Sequence, residues 1–153
     1  MKTPILFIGD SFSDDPAGRY YTDGDGSGEE FREEVLRPLL SELNNLEINI
    51  DKNVEGYGSS FLVEAFGGLI KHGYFQNDEL SKKIKISYSN IDYKFYKNKI
   101  QSYINEAKYN SEKYISTKSE AQKKGVFKGI IDKSFIQETL NEANGKYKQP
   151  HDR

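Results

Sequence analysis

The sequence predicts a small α/β fold, a short sheet packed with helices, followed by a helical C-terminal extension. Three observations carry this. Short apolar or alternating segments recur at 3–9, 46–50 and 84–88, each ended by glycine or by polar residues. Stretches with the 3.6-residue apolar period follow each of them. The resulting order, strand and helix in alternation, is the grammar of a helix-packed sheet. A chain of 153 residues suits one domain with an appendage. At that size roughly 70% of the unfolded surface can be buried, enough for an ordinary core.

Residues 3–9 (TPILFIG) read as a buried strand, and 10–28, rich in Asp, Gly and Ser, as a loop. Ser27-Gly28-Glu29-Glu30 has the spacing of a capping box and opens a helix. Its acidic first turns suit the helix dipole. Phe31, Val35, Leu39, Leu40 and Leu43 form its apolar stripe, and Pro38 is expected to kink or shorten it. Leu46 to Ile50 alternates as a strand, and 51–58 is a loop. A second helix starts near Ser59 or Ser60 and stops at Gly73. Gly67 and Gly68 inside it are expected to allow close packing against the sheet. After the strand at 84–88, a third helix spans about 90–113, with Ile91, Phe95, Ile100, Ile104 and Ala107 on its core face. Phe135, Ile136 and Leu140 suggest one more short helix, and 144–153 a frayed end. The expected organisation is a domain over 1–112 and a helical extension over 113–153.

Composition excludes several classes. Without cysteine there are no disulfides, zinc thiolates, iron–sulfur clusters or thiol nucleophiles. The apolar run Ile5 to Ile8 is too short for a signal peptide, and no segment could span a membrane, so a cytoplasmic location is expected. Net charge is −2, which gives no global attraction to nucleic acid. The charge is uneven: residues 1–50 carry 11 acidic and 4 basic side chains, and the rest of the chain is mildly basic. No cofactor fingerprint is present.

Gly9-Asp10-Ser11 after a strand resembles the opening block of SGNH or GDSL hydrolases, with Ser11 as nucleophile. The general base would have to be His151, which lacks the preceding aspartate that such enzymes use. Asp23, Asp25, Ser27 and Glu34 have the spacing of a calcium loop, but Pro16 and Gly18 leave no leading helix, and an Asp/Gly turn feeding a capped helix explains them better. Ser59 and Ser60 precede a helix, where a hydroxyl serves as a cap or marks an anion site. His72, late in a helix, needs no catalytic role. The Lys- and Tyr-rich segment from Tyr88 to Tyr114 could stack on single-stranded nucleic acid but reads better as a core or partner-facing stripe.

Two motifs carry a family resemblance. Gly18-Arg19-Tyr20, Asp23-Gly24, Ser27 to Glu33 and Leu36 to Leu40 resemble the opening of the bacterial STAS-like domain of unknown function, and Gly56-Tyr57-Gly58-Ser59-Ser60-Phe61 to Leu69 resembles its second signature. The likeness covers roughly 5–108. It implies a STAS-like sheet packed with helices. In anti-sigma-factor antagonists of the wider superfamily, a kinase of the GHKL ATPase fold phosphorylates a serine at the start of a helix after a strand, and Ser59 best matches that serine. Those antagonists place an aspartate where this chain has Gly58. The resemblance therefore implies a non-enzymatic regulatory protein–protein interaction module, with Ser59 or Ser60 as switch and a GHKL-fold ATPase as partner class. Arg19, Tyr20, Arg32, Tyr57 and Phe61 are expected to face that partner. A small esterase using Ser11 and a single-site calcium module are the alternatives.

Overall fold

The computed structural model describes residues 3–145. Three short strands, β1 (Ile5–Phe7), β2 (Leu46–Asn49) and β3 (Ile84–Ser87), form one parallel sheet in the order β1-β2-β3. Ile5 pairs in register with Glu47 and Glu47 with Lys85, which fixes the faces. Leu6, Ile8, Leu46, Ile48, Ile50 and Ile86 point into the core. On the opposite face Ile5 and Lys85 are exposed, and Phe7, Glu47, Asn49 and Ser87 partly so. Parallel sheets are usually covered on both faces; among the described residues this one is fully covered on one.

The first strand is shorter than the apolar run suggests. Ile8–Phe12 leaves the sheet as a wide turn, closed by the Ser13 N–H on the Ile8 carbonyl at 2.9 Å. Gly9 permits this, because a Cβ there would lie 2.2 Å from the Lys52 carbonyl oxygen.

Helix α1 covers residues 28–42 without a break. It comprises Gly28–Phe31, a wide stretch Arg32–Leu36, and Arg37–Glu42. Ser27 caps it, accepting from the Glu30 N–H at 3.1 Å. The Glu30 carboxylate reaches back to the Gly26 N–H at 2.7 Å, one residue earlier than the capping box requires. Pro38 neither shortens nor breaks the helix. The Arg37 N–H bonds the Arg32 carbonyl, five residues back, so the turn before Pro38 is already widened. A wide turn of this kind accommodates the missing proline donor and the ring.

Helix α2 covers residues 59–71 and has the same construction: Ser59–Leu62, the wide stretch Val63–Gly67, and Gly68–Lys71. It ends at Gly73, whose φ of +80° supplies the left-handed stop. Its glycines pack against helices, not the sheet. A Cβ on Gly68 would meet the Arg32 guanidinium at 2.6 Å, and one on Gly67 the Tyr103 carbonyl oxygen at 3.6 Å. On α1, a Cβ on Gly28 would lie 2.6 Å from the Phe61 carbonyl oxygen, so α1 and α2 meet backbone to side chain.

Helix α3 (Asn77–Lys83), unforeseen in the sequence, leads into β3. The third expected helix begins late: a 3-10 turn, Ile91–Tyr93, precedes α4 (Lys94–Glu106). That shifts the phase. Ile100 and Ile104 are buried, whereas Ile91 and Phe95 are 70% and 60% exposed rather than in the core. Beyond α4 come α5 (Lys118–Lys123) and α6 (Phe135–Ala143).

The segment from 113 folds back along α1. Leu140 and Ala143 join the main core, and Phe127 and Ala121 form a second cluster with Tyr21. The Asp25 carboxylate accepts from the N–H groups of Lys128 (2.7 Å) and Ile130 (2.8 Å). The expected frayed end at 146–153 lies outside the described residues, and so does His151. Among the described residues no helix is long and apolar enough to cross a membrane.

Candidate functional site

The two motifs that share the family likeness are used in opposite ways. In the first, polar side chains turn inward. Arg32 is fully buried. Its Nη1 donates to the Glu64 carboxylate at 2.6 Å and the Glu64 carbonyl at 2.9 Å, and its Nε to Glu33 at 2.8 Å. The guanidinium carbon lies 4.9 Å from the centre of the Tyr114 ring. Burial alone would lower the Arg32 pKa, but Glu33 and Glu64 outweigh it and raise it, so the charge is secure. His72 sits 4.0 Å from Glu64 and packs on Tyr114. Burial, then the positive field of Arg32, holds its pKa below the ordinary value.

Buried Glu29 extends this network to the C-terminal segment. It accepts from the Tyr114 hydroxyl, the Thr117 hydroxyl at 2.7 Å and the Tyr21 N–H at 3.1 Å. Glu30 and Glu34 hold Lys133 at 2.9 and 3.1 Å. Arg32 is therefore not partner-facing, which corrects the sequence expectation. An arginine in this interior is tolerable because fixed carboxylates and a ring replace its water. Phe61 is likewise fully buried, against Phe31 and Tyr57. Arg19 is 41% exposed and 3.6 Å from Glu64, and Tyr20 is 39% exposed, so these two do reach the surface.

The calcium spacing also dissolves. Asp23 accepts from the Arg19 and Tyr20 N–H groups, Asp25 clamps the C-terminal segment, and Ser27 is a buried cap. Glu34 accepts from the Tyr21 hydroxyl at 2.6 Å. Each side chain is occupied by a different protein group, and among the described residues no cluster of three or more metal-binding side chains occurs. Ser11 lies in the wide turn after β1, whereas His72 is engaged with Glu64 and Tyr114, so the described residues do not assemble a Ser–His pair.

The second motif turns outward, at the C-terminal ends of the strands, where open α/β sheets commonly bind ligands. Gly58 occupies the N-cap position of α2, and no side chain caps that end. Ser59 thus becomes the first helical residue, exposed, with its hydroxyl free of the cap bond that either serine was expected to make; Ser60 follows, half-buried. The loop that leads to α2 contributes Glu55 and Gly56 to a cleft of about 840 Å³, which Asp10, Asp14, Asp15 and Asp51 also line. Asn53 and then Lys52 hold the Asp10 pKa below the usual carboxylate range. Asp51 accepts from the Ser89 and Asn90 N–H groups at 2.6 and 2.7 Å, tying the loop after β3 to the loop after β2.

An aromatic group borders the same rim. Tyr57 packs edge-on against Tyr96 at 5.4 Å, and Tyr96 against Tyr93 and Phe95, also at 5.4 Å. The Tyr57 hydroxyl donates to the Ile50 carbonyl at 2.8 Å, and that of Tyr93 to the Val54 carbonyl. Burial pushes the Tyr57 pKa well up, so the donor persists. Ile91 and Phe95 stand exposed at the edge of this group. Sequence reasoning placed both in the core. The usable signal was the pair Asn90 and Asp92: Asn90 accepts from the Asp92 N–H at 2.9 Å and starts the 3-10 turn that rotates both side chains outward.

No curated protein and no solved structure matches the chain. A family model described as "STAS-like domain of unknown function (DUF4325)" matches residues 27–94, from the cap of α1 to the first residue of α4. That interval holds β2, α2 with Ser59, and β3, and the parallel sheet packed with helices agrees with it. Over residues 27–94 the chain is thus similar to the STAS-like domain of unknown function that this model describes, and its three-stranded parallel sheet packed with helices is consistent with a STAS-like α/β fold.

Proposed function

We propose that the protein is a non-enzymatic regulatory interaction module whose partner binds at the rim formed by Ser59, Tyr57, Ile91 and Phe95. The observation that carries this reading is Ser59 itself: exposed, first in a 13-residue helical run (59–71) and free of any cap role, because Gly58 takes that position. A phosphoryl group there adds about −1.5 to −2 charge where the helix dipole favours an anion. Such a site answers phosphorylation by changing the field that a partner meets, with no rearrangement of the core. Exposed Ile91 and Phe95 supply apolar contact area of the sort that interface centres use. The resemblance to anti-sigma-factor antagonists suggests a GHKL-fold ATPase as the partner class.

The test is affinity capture of the tagged chain from its native cells, with mass spectrometry of co-purified proteins and of the Ser59–Ser60 peptide. The expected result is a GHKL-fold ATPase recovered with wild type and Ser59→Ala, and reduced with Ser59→Glu and with Phe95→Ser. Identical recovery with all four chains contradicts the proposal.

A further inference from the structure

A second surface lies at the far edge of the sheet. Among the described residues β3 has one ladder partner, β2, and no strand pairs with its outer side. The Ser87 carbonyl accepts from the Ile50 N–H at 3.0 Å, which turns the main chain of Lys85 and Ser87 toward β2. Main-chain groups alternate sides along a strand, so Ile86 presents its N–H and carbonyl outward. The Ile84 N–H is already spent on the Leu80 carbonyl. Outward-facing pairs on an edge strand are a template for another strand.

A groove of about 470 Å³ runs along this edge, between β3 and α4. Its lining combines apolar Ile84, Ile86 and Ile104 with the polar side chains of Lys97, Gln101 and Asn105, and the main chain of Lys85 borders it. The surroundings are strongly basic. Between residues 82 and 99 the chain has Lys82, Lys83, Lys85, Lys94, Lys97 and Lys99 against the single carboxylate of Asp92. Among the described residues, none of these lysines makes an ion pair. Lys83 donates to the Leu43 carbonyl, and Lys97 and Lys99 lie over the Tyr88 and Phe95 rings, which leaves their charge uncompensated. Glu47 is in register with Lys85 on the open face, and no ion pair joins the two. Natural edges are often guarded by lysine, but guarding does not need an apolar groove alongside.

We infer that the β3 edge, with the groove between β3 and α4, binds an extended segment of a protein partner in which apolar and acidic residues alternate, added as a fourth strand. Alternate residues of such a strand point to opposite faces. Its apolar side chains enter the groove over Ile86 and Ile104, and its carboxylates meet Lys85 on the open face, with Lys97 at the groove wall. Main-chain bonds supply the docking and the lysines select the charge, as in other strand-addition complexes. Residues 146–153, with Lys146, Lys148 and Arg153 against Asp152, carry the wrong charge for this groove. None of the residues that line the groove belongs to the Ser59 rim, so its test is independent of that reading.

The probe is a fluorescent Glu/Val alternating heptapeptide with blocked termini, followed by anisotropy against the full chain. The expected result is saturable binding that weakens with salt and falls about tenfold or more in Lys85→Glu with Lys97→Glu. The milder Lys85→Gln with Lys97→Gln loses less, in the same direction, and circular dichroism verifies that both variants fold. Ser59→Glu binds as wild type does. Bound peptide slows amide exchange at Ile86, and a peptide N-methylated at alternate amides fails to bind. Four results overturn the inference: no binding at millimolar peptide, equal binding by the charge-reversed chain, equal binding of the N-methylated peptide, or tighter binding of a single-stranded oligonucleotide of the same charge.

Discussion

The α1 motif, residues 27–40, and the α2 motif, residues 56–69, look alike in sequence: each has a serine at a helix start, a glycine beside it and a phenylalanine within the next turn. In the fold they part. Ser27 is a buried cap, and the charges after it, Glu29, Glu30 and Arg32, are fixed in the interior. Ser59 is exposed and caps nothing. The difference teaches that a dense run of charge is not by itself a surface. Charges can be an interior framework when each has a fixed partner, and here that framework fastens the C-terminal segment to α1.

This comparison can be broken at several points. The largest effect is expected from Glu64→Ala, which leaves Arg32 buried with half of its pairing lost. Breaking a buried pair costs about 3–5 kcal/mol, measurable by urea denaturation. A loss under about 1 kcal/mol would mean that the pair is not structural. Gly28→Ala comes next, because a Cβ there meets the α2 backbone; overpacking of this type costs about 1–3 kcal/mol. Ser27→Ala removes one cap, for about 1 kcal/mol, whereas Ser59→Ala should stay within about 0.5 kcal/mol of wild type. An equal loss at both serines would erase the contrast.

The smallest effect concerns pH. Burial and Arg32 depress the folded-state pKa of His72 below 6.5. The neutral ring is therefore favoured in the fold. Its contribution is complete above about pH 6.5 and is lost as pH falls through that value toward the folded pKa. Glu34 acts in the same direction. Burial opposes its ionisation, but the Tyr21 hydroxyl and Lys133 prevail and lower its pKa. Denaturation of His72→Gln at pH about 7 and about 5 should show a smaller drop than wild type. An identical drop would assign the acid sensitivity elsewhere.

Much of the fold was legible. The alternation at Leu46 to Ile50 and at Ile84 to Tyr88, the Ser27 cap and the Gly73 stop are local signals, and the structure keeps them. Helices α3 and α5 were missed because each buries one apolar side chain, Leu80 and Ala121, too few to set a period. Pro38 misled because the widened turn that accommodates it has no sequence signature. At the site, Ser59 was legible as a helix start. The inward turn of Arg32 was not, since it depends on Glu64, Tyr114 and Gly68, all more than 30 residues away.

The most direct measurement compares partner recovery and folding stability for Ser59→Glu and Ser59→Ala in the same preparation. The account predicts that both variants unfold at the same urea concentration as wild type, while Ser59→Glu alone loses its partner. Equal partner recovery by the two variants, or a large loss of stability in Ser59→Ala, would contradict it.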